Sequence, residues 1–546
     1  MKGSRLIHIL VFRISTLFQL AAASVVVAEV AHDTKPLPSF ADVPYGEDER
    51  QTLDFYRATD SDDSSKPTPV VFFIHGGGWT YGDKSDVGKT SIERVLAAGI
   101  SVVSINYRYV SAAREAGATP PVSWPMHDAA RALQFVRFHA AAWNIDPDRI
   151  ALTGTSAGGC TALWLAFHDD LADFTSSDPV ARQSTRVYCV AVDSAQTTLD
   201  PLQMREWIPN SRYGGHAFGF ATGRDDATRE QAFADLVAGR EQVASWISEY
   251  SPFVQATPDD PPVYLYYHDR PAFGRPSADP THSAEFGVKL QEHLEVLGVP
   301  CELVHGGTVD VAHPDTASYL VATLESTEPL PLAFIRNLEA GRRQTVVLYG
   351  TSLTHTAEWP HAMQHFFDAD WPGRVNLVNA SLSGRQSRWG MENLEKRVLV
   401  HHPDLVFIEF SINDAATKHG ISPDRAIEHL DNMVRRLREQ NPAVEIVLQT
   451  MNPVFNGDDG KNAADARPRL DHYYAGYRHY ARRHHLPLLD HYAAWLRLRA
   501  RDPAAFEHAM PDGTHPIPEY SRKVTWAGIE SMFSRSFDAA RTESKR

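Results

Sequence analysis

The sequence predicts two α/β domains in tandem, each built around a mostly parallel β-sheet. Apolar, strand-like runs alternate with helical runs, which is the rhythm of a parallel sheet covered by helices on both faces. This alternation stops at a proline-containing stretch at about residues 325–343 and then restarts. The chain has 546 residues, of which 43% are hydrophobic and 22% charged, so it is globular and too long for one ordinary domain.

Each half of the chain supplies its own set of strands. The first set is "PVVFFI", "ISVVSINYR", "DRIALTG", "RVYCVAVDSA", "PPVYLYYHD" and "CELVHGG", with helices such as "HDAARALQFVRFHAAAW" and "SAEFGVKLQEHLEVLG". The second set is "TVVLYG", "RVNLVNAS", "DLVFIEFS", "AVEIVLQTM" and "LPLLD", with the helix "AIEHLDNMVRRLREQ". Apart from one Gly-Thr-Ser turn the halves share no motif that can be aligned, so we expect two different domains, at residues 36–326 and 330–546.

Residues 1–28 resemble a secretory signal peptide. Lys2 and Arg5 precede an apolar stretch that ends in the small residues Val26-Val27-Ala28. Arg13 interrupts the apolar region of this signal-like segment. A membrane anchor is the alternative, but the uninterrupted apolar run of about 15 residues is short of the roughly 20 needed to span a bilayer. We therefore expect a secreted or periplasmic protein without stable membrane insertion.

The charge and the cysteine content of the chain limit the classes of partner and cofactor that we expect. The formal net charge is −15, and it becomes −18 without the three basic residues of the first 28, which disfavours nucleic acid and anionic membranes as partners. The three cysteines, Cys160, Cys189 and Cys301, show no metal-ligand spacing, and the histidines show no HExxH pattern. The sequence thus predicts no metal and no cofactor, and it does not indicate an oligomeric state.

A serine nucleophile is predicted in the first half. "GTSAG", residues 154–158, fits G-x-S-x-G between a strand and a helix, where a strained turn with glycines on either side presents Ser156. Upstream, "HGGGW" follows a strand directly, and its glycines expose backbone N–H groups. Together with the N–H of Ala157, those of Gly77 and Gly78 can hold the oxyanion that forms when an acyl carbonyl is attacked.

These motifs resemble the α/β-hydrolase superfamily, in particular the HGGG-type esterases and lipases that include bacterial carbohydrate and feruloyl esterases. The resemblance implies an α/β-hydrolase fold in which an acid and then a histidine follow the serine along the chain. For the histidine, His313 in the loop after the last strand is preferred to His305 at the strand end. For the acid, Asp279, just before the helix that begins near His282, is preferred to Asp269.

A second serine, Ser352 in "TVVLYGTSLTH", also follows a strand, but no glycine stands two residues later. Three further blocks follow in order: "NASLSGRQS" with Gly384, "FIEFSINDA" with Asn413, and "MPDGTHP" with Asp512 and His515. The three-residue spacing of Asp512 and His515 lets both side chains share one face of a turn, so the carboxylate can orient the ring toward the serine.

The four blocks resemble the SGNH/GDSL hydrolases, which implies a smaller, flavodoxin-like α/β domain. The resemblance also implies a triad of Ser352, Asp512 and His515, and an oxyanion hole made by the serine backbone, Gly384 and the Asn413 side chain. Thr351 departs from the pattern, because the family usually has an aspartate before the serine. Ser411-Ile412 also departs from it, since a glycine commonly precedes the Asn-Asp pair.

The two resemblances together imply a bifunctional serine esterase that removes acetyl or feruloyl groups from plant polysaccharides. One alternative is a general carboxylesterase or lipolytic enzyme, and another is one catalytic domain with a degenerate, carbohydrate-binding partner. Three tryptophans, Trp79, Trp124 and Trp389, are either platforms for sugar rings or ordinary core residues.

Overall fold

The first sheet has eight strands, of which six run parallel. The computed structural model describes residues 35–58, 67–173, 175–220, 225–325, 329–457 and 462–543, so the predicted signal peptide lies outside the described residues. The strand order is β1-β2-β4-β3-β5-β6-β7-β8, and only β1 and β2 are antiparallel to their neighbours. The strands are β1 (Phe40–Pro44), β2 (Thr52–Tyr56), β3 (Thr68–Ile74), β4 (Ser101–Ile105), β5 (Ile145–Thr155), β6 (Cys189–Asp193), β7 (Val263–Tyr266) and β8 (Cys301–Val304).

Eleven helices of the described chain connect these strands. The continuous apolar run of β4 is buried along its whole length, as expected of a strand covered on both faces. The helices are α1 (Lys89–Ala97), α2 (Val110–Glu115), α3 (Ser123–Phe138), α4 (Ala140–Trp143), α5 (Ala157–Phe167), α6 (Pro201–Trp207), α7 (Asp226–Ala238), α8 (Ala244–Tyr250), α9 (Pro252–Gln255), α10 (Glu285–Leu297) and α11 (Thr316–Glu325).

The second sheet has five strands, all parallel, in the order β10-β9-β11-β12-β13. Its order reverses at β9, so the loops after β9, β10 and β11 meet at one edge. The strands are β9 (Gln344–Gly350), β10 (Val375–Asn379), β11 (Leu405–Glu409), β12 (Glu445–Thr450) and β13 (Leu488–Asp490). The helices are α12 (Leu332–Glu339), α13 (Ser352–His355), α14 (Trp359–Asp370), α15 (Ser387–Arg397), α16 (Ser411–Asp414), α17 (Pro423–Gln440), α18 (Leu470–Arg483), α19 (His491–Arg501), α20 (Pro503–Ala509), α21 (Pro518–Tyr520) and α22 (Ala527–Glu543).

The predicted fold class is confirmed in both halves, and every strand predicted from the sequence is present. The antiparallel strands β1 and β2 were not predicted. Strand β1 has the sequence FADVP and is mostly exposed at the sheet edge, so it lacks the apolar run by which the parallel strands are recognised. Within the described residues, none of the helices has both the length and the hydropathy needed to cross a membrane.

The two sheets belong to one compact unit, residues 36–546. Side chains join them: the Arg182 guanidinium donates to the carbonyl of Ala500 at 2.9 Å, and Arg497 pairs with Asp148. Arg182 precedes β6 and Asp148 lies in the first half of β5, so these contacts lie toward the amino ends of the first sheet's strands. The exact boundary between residues 326 and 330 stays a prediction.

Candidate active sites

Ser156 lies in a strained turn between β5 and α5. Its φ of 56° and ψ of −124° fall outside the regions that L-residues ordinarily adopt. Glycines make the turn possible, because a Cβ on Gly158 would collide with the carbonyls of Ile74 and His75, and a Cβ on Gly154 would lie 2.6 Å from the backbone of Gly158. The structure therefore has the strand, turn and helix that the sequence predicts around this serine.

A hydrogen-bonded chain of three side chains begins at this serine. The Ser156 hydroxyl lies 2.9 Å from Nε2 of His282, and Nδ1 of His282 lies 2.8 Å from Oδ2 of Asp279. Burial alone would raise the pKa of Asp279, but the hydrogen bonds from His282 and from nearby backbone N–H groups hold it below its ordinary value. The carboxylate is thus kept charged beside the imidazole, where it fixes the ring's tautomer and orientation.

The prediction of His313 as the histidine of the first triad is wrong. Its Nδ1 lies 2.8 Å from Oε2 of Glu302 on strand β8, and its backbone carbonyl accepts a hydrogen bond from the Tyr264 hydroxyl at 2.7 Å. These contacts hold His313 beside the last strand, away from the serine. The alternative, His305, accepts from the Gly307 backbone at 3.1 Å and does not contact the serine either, and Asp269 is exposed.

His282 was missed because the resemblance directed attention to the loop after the last strand. A signal was present in the sequence: Asp279 and His282 have the same three-residue spacing as Asp512 and His515. In both turns the carboxylate also accepts the backbone N–H of the histidine, at 3.3 Å for Asp279 and 2.7 Å for Asp512. The chain therefore uses one local solution, a D-x-x-H turn, to orient the histidine in both halves.

The glycine loop after β3 lies beside the first serine turn. Gly77 and Gly78 have φ of +99° and +59°, a region that glycine enters without strain. The Tyr107 hydroxyl fixes the loop's start by donating to the carbonyls of His75, at 2.9 Å, and Gly76, at 3.1 Å. Ala157 is the first residue of α5, so its N–H has no partner within the helix. The assignment of these N–H groups to an oxyanion hole stays a prediction.

The second site has the geometry that its sequence predicts. The Ser352 hydroxyl lies 2.8 Å from Nε2 of His515, whose Nδ1 lies 2.6 Å from Oδ2 of Asp512. Hydrogen bonds from the backbone and side chain of His515 outweigh burial and lower the pKa of Asp512. Ser352 is the first residue of the four-residue helix α13 and follows the end of β9 by two residues.

Gly384 and Asn413 follow β10 and β11, the two neighbours of β9 in the sheet. Gly384 has a φ of +73°, although a Cβ there would meet no atom within 4 Å, so the backbone conformation rather than crowding favours glycine. One N–H of the Asn413 amide donates to the carbonyl of Arg385 at 2.8 Å, which fixes the side chain and leaves its second N–H available. Their roles in the oxyanion hole stay predictions.

The three tryptophans differ in accessibility. Trp79 is fully buried and donates to the Thr161 hydroxyl at 2.9 Å, so it is a core residue and not a platform for sugars. Trp124 is covered by the Arg108 guanidinium, 4.1 Å from its ring centre, and the guanidinium groups of Arg385 and Arg397 lie 5.6 and 5.3 Å from the ring centre of Trp389. Among the described residues no group of three or more His, Cys, Asp or Glu side chains is arranged to hold a metal ion.

Comparison with known families agrees with this geometry. Residues 53–271 match the BD-FAE family, and residues 345–522 match the family described as GDSL-like Lipase/Acylhydrolase. The first match contains Ser156, and the second contains Ser352, Asp512 and His515. The first half of the chain thus resembles the BD-FAE family of α/β-hydrolases, and the second half resembles the GDSL-like lipases and acylhydrolases.

Curated relatives resemble parts of the chain. The "Probable carboxylic ester hydrolase LipM" of Mycobacterium tuberculosis is 36% identical over 154 residues, which are 28% of this chain and 30% of that protein. The esterase LipC of the same organism is 33% identical over 139 residues, 25% of this chain and 30% of the relative. The chain spans about a third of the length of the curated relatives that it matches.

Solved structures also resemble about half of the chain. An acetyl ester-xyloside bifunctional hydrolase from Caldicellulosiruptor lactoaceticus is 23% identical, with a TM-score of 0.36, and the match covers 51% of this chain and 88% of that chain. A truncated carbohydrate esterase from gut microbiota is 20% identical, with a TM-score of 0.40, and the match covers 54% of this chain and 99% of that chain.

Proposed function

We propose that the chain is a serine carboxylic ester hydrolase with two independent active sites. The observation that carries this proposal is the pair of hydrogen-bonded chains, serine to histidine to aspartate, each formed at the carboxyl end of a strand. The matched families and relatives support ester hydrolysis as the reaction. The acyl group, the alcohol and the activity of both sites are part of the proposal.

The same mechanism serves both sites. In the first, the imidazole of His282 takes the proton of Ser156 as the hydroxyl oxygen bonds to the ester carbonyl carbon, and Asp279 stabilises the imidazolium. Return of that proton to the alcohol oxygen breaks the ester bond and leaves an acyl-serine. Water then attacks the acyl-serine with the imidazole again as base, which releases the carboxylic acid and regenerates the serine.

The tetrahedral intermediate carries a negative charge that the protein must stabilise. In the first site, the N–H groups of Gly77, Gly78 and Ala157 are the donors, and they belong to the glycine loop after β3 and to the first residue of α5. In the second site, Gly384 and the free N–H of Asn413 do the same beside the amino end of α13. Donors fixed before the reaction are effective because they need no reorganisation in the transition state.

We propose an ester with a sugar or aromatic ring, such as an acetylated or feruloylated plant polysaccharide, as substrate of the first site. Tyr81 and Phe273, with 70% and 60% of their surfaces exposed, are the most exposed aromatic side chains among the described residues. Both lie on loops that leave the sheet edge at which Ser156 lies. Exposed aromatic faces are suited to stacking on planar rings and on the apolar faces of sugars.

Each of these aromatics is fixed to a catalytic element. The backbone N–H of Tyr81 donates to the carbonyl of Gly77 at 3.2 Å, and its ring lies against that glycine. The backbone N–H of Phe273 donates to Glu285 at 2.8 Å, and the same carboxylate accepts from Ser283, the residue after His282, at 2.5 Å. A substrate ring held by these side chains would therefore be held close to the serine.

Replacing Tyr81 or Phe273 by alanine tests this part of the proposal. In a Ser352→Ala background we expect KM for methyl ferulate to rise about threefold to tenfold, because an aromatic contact contributes roughly 0.5–1.5 kcal/mol. KM for vinyl acetate, which has no ring, should stay unchanged. Phe138→Ala removes another exposed aromatic, at the end of α3, and is the matched control. Equal rises in KM for both esters would contradict a ring-binding role.

The substrate class is tested by assigning activities to sites. Acetylated xylan, methyl ferulate and 4-nitrophenyl acetate are assayed with the wild type, Ser156→Ala, Ser352→Ala and the double variant, each checked by a thermal melt. We expect each single variant to lose a different part of the activity and the double variant to lose all of it. Activity on short lipid esters but on neither polysaccharide nor ferulate would support a general lipolytic enzyme instead.

We also propose that the protein is exported to the periplasm or outside the cell. The support is the basic, apolar and small-residue pattern of residues 1–28. Acylated polysaccharides are encountered in those compartments, so this location agrees with the proposed substrate. Cell fractionation, with amino-terminal sequencing of the mature protein, checks both export and cleavage near Ala28.

A further inference from the structure

A buried carboxylate, that of Glu409, lies next to the loop that carries Ser352. Glu409 is the last residue of β11, is only 1% exposed, and pairs across the sheet with Gly350, the last residue of β9. A Cβ on Gly350 would collide with the Glu409 carboxylate, so the glycine leaves the space that the carboxylate fills. Thr351 and Ser352 follow Gly350 in the chain, so the serine loop begins next to the Glu409 carboxylate.

Among the described residues, the hydrogen bonds to this carboxylate all come from the loop that carries Ser352. Oε1 accepts the backbone N–H of Thr351 at 2.6 Å and the Thr354 hydroxyl at 2.7 Å, and the Thr351 hydroxyl lies 3.0 Å from both oxygens. Thr351 directly precedes Ser352, and Thr354 follows it by two residues. In the part of the chain that the structure describes, no ion pair joins Glu409 to a cation. Its burial raises its pKa to about 7, against the opposing effect of these hydrogen bonds.

The family resemblance predicts an aspartate at the position that Thr351 occupies. Thr351 is itself fully buried, and its hydroxyl accepts the N–H of Leu353 at 3.2 Å as the cap of the short helix α13. The carboxyl group missing from the serine loop is therefore replaced by one from the neighbouring strand, within hydrogen-bonding distance of the threonine. The Thr351 hydroxyl joins the serine loop to the Glu409 carboxylate by hydrogen bonds.

We propose that Glu409 is a positioning residue for Ser352, and that it supplies from β11 the carboxylate that related hydrolases carry beside the serine. It holds Thr351, directly before the nucleophile, and Thr354, two residues after it, and so sets where the hydroxyl lies relative to His515. A displacement of about 1 Å at a reacting group can cost about 100-fold in rate. The inference rests on the proposed role of Ser352 as a nucleophile.

The experiment uses the full chain with Ser156→Ala, so that all remaining activity comes from the second site. We expect Glu409→Ala to lower kcat about 10- to 100-fold with KM changed by less than about threefold, because substrate binding is retained and the nucleophile is misplaced. Glu409→Gln keeps Oε1 as an acceptor for Thr351 and Thr354, so it should retain kcat within about fivefold. The rate of Ser352 modification by a fluorophosphonate should follow the same order.

A matched control separates positioning from general destabilisation. Glu445, at the start of β12 in the same sheet, accepts two backbone N–H groups of α12, at 3.0 and 2.6 Å, but lies at the other end of the strands. Glu445→Ala should lower the melting temperature without changing kcat. If Glu409→Ala leaves kcat within twofold, or if both variants lower kcat in proportion to their melting temperatures, the positioning role is wrong.

Placing the carboxylate at residue 351 instead of residue 409 gives a second, independent test. Thr351→Asp alone places two buried carboxylates together, which should lower both kcat and stability. In Thr351→Asp/Glu409→Ala only one carboxylate remains, at the family's position, and kcat should exceed that of either single variant. If the double variant has a lower kcat than both single variants, the proposal that Glu409 replaces the family's aspartate is wrong. An inactive and unlabelled Ser156→Ala parent would instead overturn the role of Ser352 itself.

Discussion

At the scale of residues, both sites depend on an aspartate that orients a histidine three residues further along. Asp279 and Asp512 each accept from the imidazole Nδ1–H and from the backbone N–H of the same histidine. The second pair could be predicted because it lies in a block that the family resemblance singles out. The pair of the first site could not be predicted in the same way, because the choice between His282 and His313 depends on how two loops fold back over the sheet.

The assignment of His282, and not His313, as the histidine of the first site can be tested by substitution. In a Ser352→Ala background, His282→Ala should lower kcat by about 10³-fold or more, because the serine loses its base. His313→Ala should stay within about threefold of its parent, since its contacts are with Glu302 and Tyr264. Rates of 4-nitrophenyl acetate hydrolysis measure both. A loss with His313→Ala as large as that with His282→Ala would contradict the assignment.

At the scale of elements, the ends of parallel strands bring the site residues together. Ser156 follows β5 and Ser352 follows β9, while the glycine loop and Asn413 follow β3 and β11. These positions could be predicted because each motif adjoins an apolar run, and parallel strands end at the same edge. The loop carrying Asp279 and His282 could not be placed, because its path is fixed by tertiary contacts such as those of Glu285 with Ala272 and Phe273.

Two aspartates near strand ends, the buried Asp260 and the half-buried Asp490, should respond to pH in opposite ways. Burial raises the pKa of Asp260, before β7, from 3.8 to about 8. Its contribution to stability is therefore complete below about pH 4 and is lost as the pH rises through about 8. Against its burial, the charge of Arg478, with hydrogen bonds, lowers the pKa of Asp490 to about 2. Its contribution is present above about pH 4 and is lost as the pH falls through about 2.

Scanning calorimetry of Asp260→Asn and Asp490→Asn between pH 4 and 8 checks these signs. The melting temperature of Asp260→Asn relative to the wild type should increase as the pH rises, because the variant has no charge to bury. Asp490→Asn should melt below the wild type throughout the range, since the ion pair with Arg478 is lost, and in scans extended to lower pH this difference should shrink as the pH falls from about 4 to 2. A pH-independent difference for Asp260→Asn would show that the aspartate stays in one protonation state.

At the scale of the whole molecule, two unrelated sheets each carry a complete serine, histidine and aspartate set. The contacts of Arg182 and Arg497 that join the sheets lie toward the amino ends of the first sheet's strands, and Ser156 lies at their carboxyl ends. The first site is thus not built at this junction, so we expect each site to work without the other. The tandem organisation could be predicted from the restart of the strand pattern. The junction could not, because its contacts join residues more than 300 positions apart.

The most direct test of two independent nucleophiles is the intact mass of the protein after reaction with a fluorophosphonate. The wild type should gain two adducts, Ser156→Ala and Ser352→Ala one each, and the double variant none, since only a serine activated by its histidine reacts readily. Peptide mapping should place the adducts on Ser156 and Ser352. A wild type that gains a single adduct, or a double variant that is still modified, would contradict the account of two active sites in one chain.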